Sequence, residues 1–439
     1  MINKKNHQQT TDVNHSTMKT FNSCLINNSH PEEFFKTPQD RWGLPGWAYH
    51  NDNLTQLEIK KVFRTHWQII CHVSNIPKPG DFITDNLLGD RILILHGNDN
   101  KIRAFYNICC HRGSQVVEKE KGNCGHVLTC PFHGWTYHLD GSLMGIAQKG
   151  AYDQINKKNF GLKPIEMEIW KGFVFIRFEK GPQPSLAKIF SSYEKLFELY
   201  NLDTITPVLN KNSHNTFGHE TLNANWKSAR DVDNEGYHVA KAHSFLNDLY
   251  GNQYTEDEYN QQTGVSLARG IFFKNEERQP KYWSVRAYKS AVKRAKAIPE
   301  KIKNVWFYIG LFPNNVIQLY PEGVSFYQDI PVDANFSKQR YGYYKASDID
   351  NESKKYIDLA AQIGRRIDKV TYEEDRMLTI WSYEGQKSTN FPGAYLSNFE
   401  SNVKAYHMIL QRHLPVLTIT KDPKNQDLEE LNNQLLERL

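Results

Sequence analysis

Along this chain the apolar positions change rhythm several times, and each change predicts an element. In NLTQLEIKKVFRTHW, residues 53–67, they recur three or four apart, the spacing of an amphipathic helix from Leu54 to Trp67. DRILILHGNDNKIRAFYNICC has two apolar runs around GNDN, which predicts a hairpin, and TYHLDGSL carries a second turn signal at Asp140-Gly141. WKGFVFIRFE, 170–179, alternates like a further strand, and GPQP at 181–184 reads as a domain junction. Residues 185–260 carry helical patterns, SLAKIFSSYEKLFELY among them. Strand-like runs return in VWFYIGLF, NVIQLYPEGVSFYQDI and RYGYYKA, after which YIDLAAQIGRRIDKVTYEEDRMLTIW resumes a helical period. DLEELNNQLLERL predicts a surface helix with charges on one side. The pattern predicts an α+β chain: a small β-rich domain, then a larger domain with an antiparallel sheet and helices.

Composition changes this picture little. With 439 residues, 39% hydrophobic and 13% aromatic, the chain can fill a sizeable core. Residues 1–40 are polar and rich in Asn, Gln and Thr, which predicts a partly disordered segment. The 54 basic and 49 acidic side chains are spread without a basic block, so no nucleic-acid partner is expected. No stretch approaches the roughly 20 apolar residues of a membrane span, and the start lacks a secretory apolar run; a soluble, cytoplasmic protein with no membrane partner is expected. In such a chain six cysteines more often serve metals or chemistry than disulfides. Cys24 and Cys71 have no motif around them and are expected to be ordinary thiols.

The remaining cysteines are more informative. Cys109-x-His111 and Cys130-x-x-His133 are separated by eighteen residues, at the tips of hairpin-like segments. Four such residues could hold a structural zinc. Their order argues otherwise: a zinc finger puts both cysteines in one arm and both histidines in the other, whereas here each arm offers one of each. That suits a [2Fe–2S] centre with inequivalent irons, one held by thiolates and one by imidazoles. CCHRG and CPFHGWTYHLDGSL resemble the two cluster loops of a Rieske domain. The resemblance implies that Cys109 and Cys130 bind one iron, and His111 and His133 the other.

A second constellation lies in NWKSARDVDNEGYHVAKAH, 225–243. His238 and His243 with a distant carboxylate could form the two-histidine, one-carboxylate facial triad of non-haem Fe(II) oxygenases. On a regular helix Glu235 and His238 share a face, but a five-residue step turns His243 about 140° away, so the helix must end or distort between the histidines. The stretch resembles the mononuclear iron motif of Rieske non-haem iron oxygenase α subunits, with Asn225, Trp226, Lys227, Glu235, Tyr237, His238 and His243 in register. For the third ligand the resemblance points to Asp375 in YEEDRMLTIWSYEG. Ile380 and Tyr383 stand where the family pattern has Glu and Gln, and Glu374 and Glu373 remain alternatives.

The resemblance, over roughly residues 40–415, implies a Rieske [2Fe–2S] domain over 41–180 and a helix-grip type catalytic domain over 181–420, with the charged C-terminal helix of the residue pattern following over 421–439. Its cofactors would be the [2Fe–2S] cluster and a mononuclear Fe(II). It implies a terminal oxygenase, mono- or dioxygenase, that uses O₂ for hydroxylation, dihydroxylation or oxidative demethylation of a small organic molecule. Glu235 would be the catalytic bridge, facing His238 in its own chain and His133 of a neighbour in a homotrimer. Glu at this place resembles the branch that oxidises quaternary ammonium compounds, whereas members acting on aromatic rings usually have Asp. Neither G-x-G-x-x-G after a strand nor a P-loop is present, so a separate NAD(P)H-linked reductase, with or without a ferredoxin, is expected. Aromatic side chains of VWFYIGLFP and GVSFYQDIP could cage a methylated ammonium, although most are expected in the core. Two other readings make distinct predictions. A Rieske electron-transfer protein without mononuclear iron would hold Glu235, His238, His243 and Asp375 apart, and a zinc-stabilised module would be colourless and without labile sulfide.

Overall fold

The computed structural model describes residues 34–438 except 149, 151, 153–154, 210–216, 275–277 and 425. Most of the segment expected to be disordered, together with Cys24, lies outside the described residues.

Three small antiparallel sheets build the first half. Asp81–Leu87, Asp90–His96 and Ile102–Tyr106 form a meander, with Lys121–Asn123 added alongside Asp81–Leu87. The GNDN stretch makes the expected hairpin turn, closed by Gly97 N–H donating to Lys101 O. Val127–Thr129, Thr136–His138 and Leu143–Gly145 form the second sheet, and Gly141, at φ 87°, lets the chain reverse at the expected Asp-Gly. Gln68–His72, Phe173–Arg177 and Glu166–Trp170 form the third.

An eight-stranded antiparallel sheet organises the second half. Its order is Ile205–Pro207, Phe336–Ala346, Gly323–Asp333, Asn315–Tyr320, Val305–Leu311, Val265–Ile271 and Tyr254–Asn260, and Phe217–Leu222 also pairs with Phe336–Ala346. A 36-residue helix, Asn351–Gln386, starts where Asp350 accepts a hydrogen bond from Ser353 N–H. It buries Ile357, Ala360, Ala361, Ile363, Gly364 and Ile367, a helical spacing that turns one stripe to the core. Gly364 is needed for the close approach, since a Cβ there would come within 2.8 Å of Glu322 Oε1. No helix among the described residues is long and apolar enough to cross a membrane.

The two halves are tied at several points. Trp42–Pro45 pairs with Gly393–Tyr395, and the helix Ser401–His413 packs against that strand. Asp85 reaches from the meander to Lys338 at 2.8 Å and to Arg340, both on the large sheet. Gln183, in the expected junction, accepts from Trp67 N–H and donates to Phe312 O, both at 2.9 Å.

Several elements differ from expectation. Within 185–260, expected to be helical, Ile205–Pro207, Phe217–Leu222 and Tyr254–Asn260 are instead strands, drawn into the large sheet by pairing with neighbours distant in sequence or across a turn. The first helix covers Asp52–Glu58 and ends in a π turn over Ile59–Phe63, because Trp67 is pulled out to hydrogen-bond Gln183 and Pro184. WKGFVFIRFE is a tight turn and a strand: Lys171 and Gly172, at φ 47° and 78°, reverse the chain between Glu166–Trp170 and Phe173–Arg177. SLAKIFSSYEKLFELY breaks into the short helices Leu186–Ile189 and Glu194–Phe197, since burying Phe190, Tyr193, Phe197 and Tyr200 together decides its path. The helix Leu428–Leu436 is not only a surface helix: Leu428 and Asn432 are buried, and Asn432 Oδ1 accepts from Val416 N–H at 3.2 Å.

Candidate active site: two metal centres

The cysteine and histidine loops are built alike. In each, the glycine four residues after the cysteine adopts a left-handed conformation, Gly113 at φ 76° and Gly134 at φ 71°, and its N–H donates back to the cysteine carbonyl at 3.0 and 3.1 Å. Cys109 N–H donates to Ser114 O and Cys130 N–H to Trp135 O, which closes both loops. Cys109 and Cys130 are buried, and the rings of His111 and His133 lie 4.6 Å apart between centroids.

Neighbouring aromatic side chains fix these groups. Tyr137 OH lies 3.2 Å from Cys109 Sγ and accepts from Cys110 N–H at 3.1 Å, so its proton faces the sulfur. The Trp135 ring stacks on His111 at 5.0 Å, and Tyr152 OH lies 3.1 Å from His111 Nε2. The other nitrogen, His111 Nδ1, is buried without a hydrogen-bond partner. Burial, partly offset by the Tyr137 hydroxyl, pushes the Cys109 thiol up. A buried free lone pair and a buried thiol that resists ionising without a cation fit an iron–sulfur cluster held through Nδ1 and Sγ. Ligands of one tetrahedral zinc would lie within about 4 Å of one another. Among the described residues, His238, His243 and Asp375 form the group that converges closely enough for a single ion, so the four loop residues do not share one metal point.

The second centre is assembled from distant segments. The helix Trp226–Asp233 begins where Asn225 Oδ1 accepts from Lys227 N–H at 3.0 Å. Trp226 Nε1 and Lys227 Nζ both donate to the buried Glu58 carboxylate, at 2.7 Å and 2.8–2.9 Å. The Asn-Trp-Lys motif therefore caps and anchors the helix, and Glu58, its partner, had no signal in the sequence. The helix ends at Asn234, whose Oδ1 accepts from Arg230, and a four-residue helix, Val239–Ala242, follows with His238 before it and His243 after it. With His243 in extended backbone at φ −109°, ψ 101°, both imidazoles turn to the same side. This is the distortion that the five-residue step requires.

His238 Nε2 and His243 Nε2 come within 3.0 Å of each other. Asp375, from the long helix, places Oδ1 2.9 Å from His243 Nε2 and 3.3 Å from His238 Nε2. Glu235 Oε1 lies 2.5 Å from His238 Nδ1, and Glu374 Oε2 lies 2.9 Å from His243 Nδ1. With each Nδ1–H donated to a carboxylate, both Nε2 lone pairs face Asp375 Oδ1, a buried oxygen that has no aligned donor. Three acceptors aimed at one point repel one another unless a cation sits among them. A proton can serve as that cation: burial alone would lower His238, but Asp375 and Glu235 outweigh it and push it up to about 10, the same acceptor set drawing either a proton or a metal ion. Burial would likewise raise Asp375, but the hydrogen bonds and charge of His238 and His243 outweigh it and hold its carboxyl below the usual carboxylate range. The donor set fits a divalent iron with open positions.

The structure thus brings Glu235, His238, His243 and Asp375 together, against the prediction of the electron-transfer reading. Glu374 stands behind His243 instead of joining the convergence, and Glu373 lines an adjoining cavity. Ile380 and Tyr383, where the motif departed from its pattern, pack against Leu222, Ala224 and Ala229, and the Tyr383 hydroxyl donates to Ala334 O at 2.9 Å.

Asp375 borders a cavity of about 430 Å³ between the long helix and one face of the large sheet. Alternate strand positions supply Gln318, Tyr320, Ser325, Tyr327, Tyr341 and Tyr343, as the two-residue period of a strand requires. Of the aromatic runs, Tyr327 faces this space, whereas Phe307 and Ile309 pack in the core and Phe326, fully buried in the same core cluster, also touches the cavity.

Residues 66–157 match the Rieske [2Fe-2S] domain, and residues 202–415 match the catalytic domain of the ring hydroxylating alpha subunit. The two spans together take in more than half of the chain. The chain belongs to the Rieske ring-hydroxylating alpha-subunit family. Membership carries a [2Fe–2S] cluster and a mononuclear iron, the two groups that the donor sets fit. The chain is 32% identical over 213 residues, 48% of its length, to the carnitine monooxygenase oxygenase subunit of Acinetobacter pittii, of which 56% is covered. It is 28% identical to the glycine betaine monooxygenase oxygenase subunit of Pseudomonas aeruginosa over 49% of this chain and 48% of that one. Against the large oxygenase component of the Pseudomonas putida naphthalene 1,2-dioxygenase system the identity is 31%, over 44% and 43%. The matched stretch therefore spans about half the length of these curated relatives. The fold is shared along nearly the whole length of solved Rieske oxygenases. A quaternary ammonium Rieske monooxygenase bound to L-carnitine aligns at TM-score 0.65 and 21% identity, over 88% of this chain and 99% of that one. Naphthalene 1,2-dioxygenase from Rhodococcus sp. aligns at 0.65 and 18%, over 87% and 97%.

Proposed function

We propose that this protein is the terminal oxygenase of a Rieske non-haem iron system, acting on a small organic substrate in the cavity beside Asp375. The convergence of His238 Nε2, His243 Nε2 and Asp375 Oδ1, with Asp375 also lining that cavity, carries the reading. Cys109 and Cys130 would hold one iron of the cluster and His111 and His133 the other, with His238, His243 and Asp375 holding the mononuclear iron. When bound, the cluster supplies electrons singly and the mononuclear iron activates O₂. Glu235 accepts the His238 Nδ1 proton and Glu374 that of His243, so each fixes a tautomer and presents Nε2 as a ligand. Tyr137 steadies the Cys109 sulfur by donating to it, and Trp135 holds the His111 ring by stacking.

A homotrimer, in which Glu235 also meets His133 of a neighbour, suits the exposure at both centres. Phe132, beside His133, is 55% exposed, and Tyr237, beside His238, is 62% exposed, so each centre has an aromatic rim that a neighbour could cover. Electrons come from a separate NAD(P)H-dependent reductase. A quaternary ammonium substrate is favoured over an aromatic acid by Glu235 and by the tyrosine-lined cavity, in which ring faces attract a methylated ammonium.

Iron and acid-labile sulfide per chain test this on anaerobically purified protein and on the double variant His238→Ala/His243→Ala. About three irons and two sulfides, with one iron lost in the variant, are expected. Two irons in both proteins would sink the oxygenase reading.

A further inference from the structure

The cavity has a second polar end. Its helix wall runs from Arg365 and Asp368 through Tyr372 to Asp375 and Thr379, so position along the helix measures distance from the metal end. Arg365 precedes Asp375 by ten residues, about 15 Å of helix axis. Tyr320 OH contacts Asp368 at 3.4 Å and the Arg365 guanidinium lies over the Tyr343 ring at 5.9 Å, which places the sheet residues Tyr320 and Tyr343 at this same end.

Arg365 is poorly satisfied for a partly buried cation. Its Nε is buried without a hydrogen-bond partner, and it forms no ion pair with a described residue. Thr371 Oγ1, also on the cavity wall, is likewise buried and unpartnered. Asp368, three residues on along the same helix, feels the Arg365 charge, but burial, with Glu322 close by, pushes it up to about 8, so at neutral pH it is mostly protonated and leaves the guanidinium charge unmatched. A sequestered guanidinium without a counter-ion is costly, and its planar fork matches a carboxylate.

We propose that Arg365 forms an anion subsite at the distal end of the substrate cavity, binding the carboxylate of an elongated substrate whose other end is oxidised beside Asp375. This rests on the oxygenase reading and narrows it: the substrate carries a negative group well separated from the carbon attacked. Asp368, protonated, and Thr371 are within the same wall to complete the carboxylate's hydrogen bonds.

Equilibrium binding under nitrogen, with iron-loaded full-length protein and no reductase, tests the subsite. The probes are ω-trimethylammonio carboxylates of increasing chain length and 3-phenylpropanoate, each beside its methyl ester, on wild type, Arg365→Gln and Arg365→Lys. At least one carboxylate should bind wild type about tenfold more tightly than its ester. Arg365→Gln should erase that preference while leaving ester binding within a factor of about two, and Arg365→Lys should retain part of it. The proposal fails if no carboxylate outbinds its ester on wild type, a result that needs no folded variant, or if Arg365→Gln keeps the preference. Because binding is read without turnover, loss of the oxygenase reading would appear separately, as absent mononuclear iron with the carboxylate preference intact.

Discussion

The two metal centres are built on opposite plans. At the cluster, two loops repeat one local design, with the cysteine, the histidine and the left-handed glycine all within five residues, so each loop carries its own geometry. At the mononuclear site the proposed ligands come from a broken helix and from Asp375, 132 residues beyond His243, and their convergence exists only once the long helix has packed beside the large sheet. A locally specified site is robust to changes elsewhere. A site assembled across the fold depends on the groups that hold its parts in place.

The comparison is most easily broken by removing the distant ligand. Asp375→Ala should lose the mononuclear iron and lower turnover by more than the 10–100-fold typical of outer groups, while the visible spectrum of the cluster stays unchanged. A cluster lost in the same variant would mean that the centres do not assemble independently. Next in size, Glu374→Ala frees the His243 ring to turn, and iron affinity measured by chelator competition should fall about 10–100-fold. Unchanged affinity would show that packing alone orients His243. At the cluster, Tyr137→Phe removes the donor to Cys109 Sγ, and the midpoint potential should drop by on the order of tens of millivolts with cluster content intact. A potential that stays fixed would deny the hydroxyl that role.

The smallest effect concerns the tie between the halves. Burial opposes ionisation of Asp85, but Arg340 and Lys338 prevail and pull it down to about 2, below its ordinary value of 3.8. A depressed carboxylate contributes stability above its unfolded pKa and loses it as pH falls toward the folded one. Asp85→Asn should therefore cost about 2 kcal/mol at pH 7, read by denaturant titration, and the gap to wild type should close between about pH 4 and 2. Metal content should not change. A gap that persists at the acid end would assign the cost to packing.

What the sequence revealed follows the same division. The cluster loops were legible because Cys109, His111, Cys130 and His133 sit in short turns whose spacing is their geometry. The need for a distortion between His238 and His243 was legible from helical angles alone. Asp375, Glu374 and Glu373 could not be ranked by position, since helix packing decides which of three adjacent carboxylates meets the histidines. Glu58 left no trace, because its role comes from burial against Trp226 and Lys227. Short strands were over-read where a tight turn such as Lys171-Gly172 interrupts an alternating run. SLAKIFSSYEKLFELY kept a helical period yet broke up, because its path is set by burying four aromatic side chains together in one core cluster.

The pairing of Trp42–Pro45 with Gly393–Tyr395 joins residues about 350 positions apart, so it bears on the order in which the protein matures. Contacts this remote form late, because the intervening chain must first be synthesised and closed into a loop. The meander and both cluster loops draw on pairings within residues 81–145 and can take shape while the ribosome is still making the large sheet. Cluster insertion can thus precede completion of the catalytic half, and the early strand at Trp42 waits for its partner until that half is made.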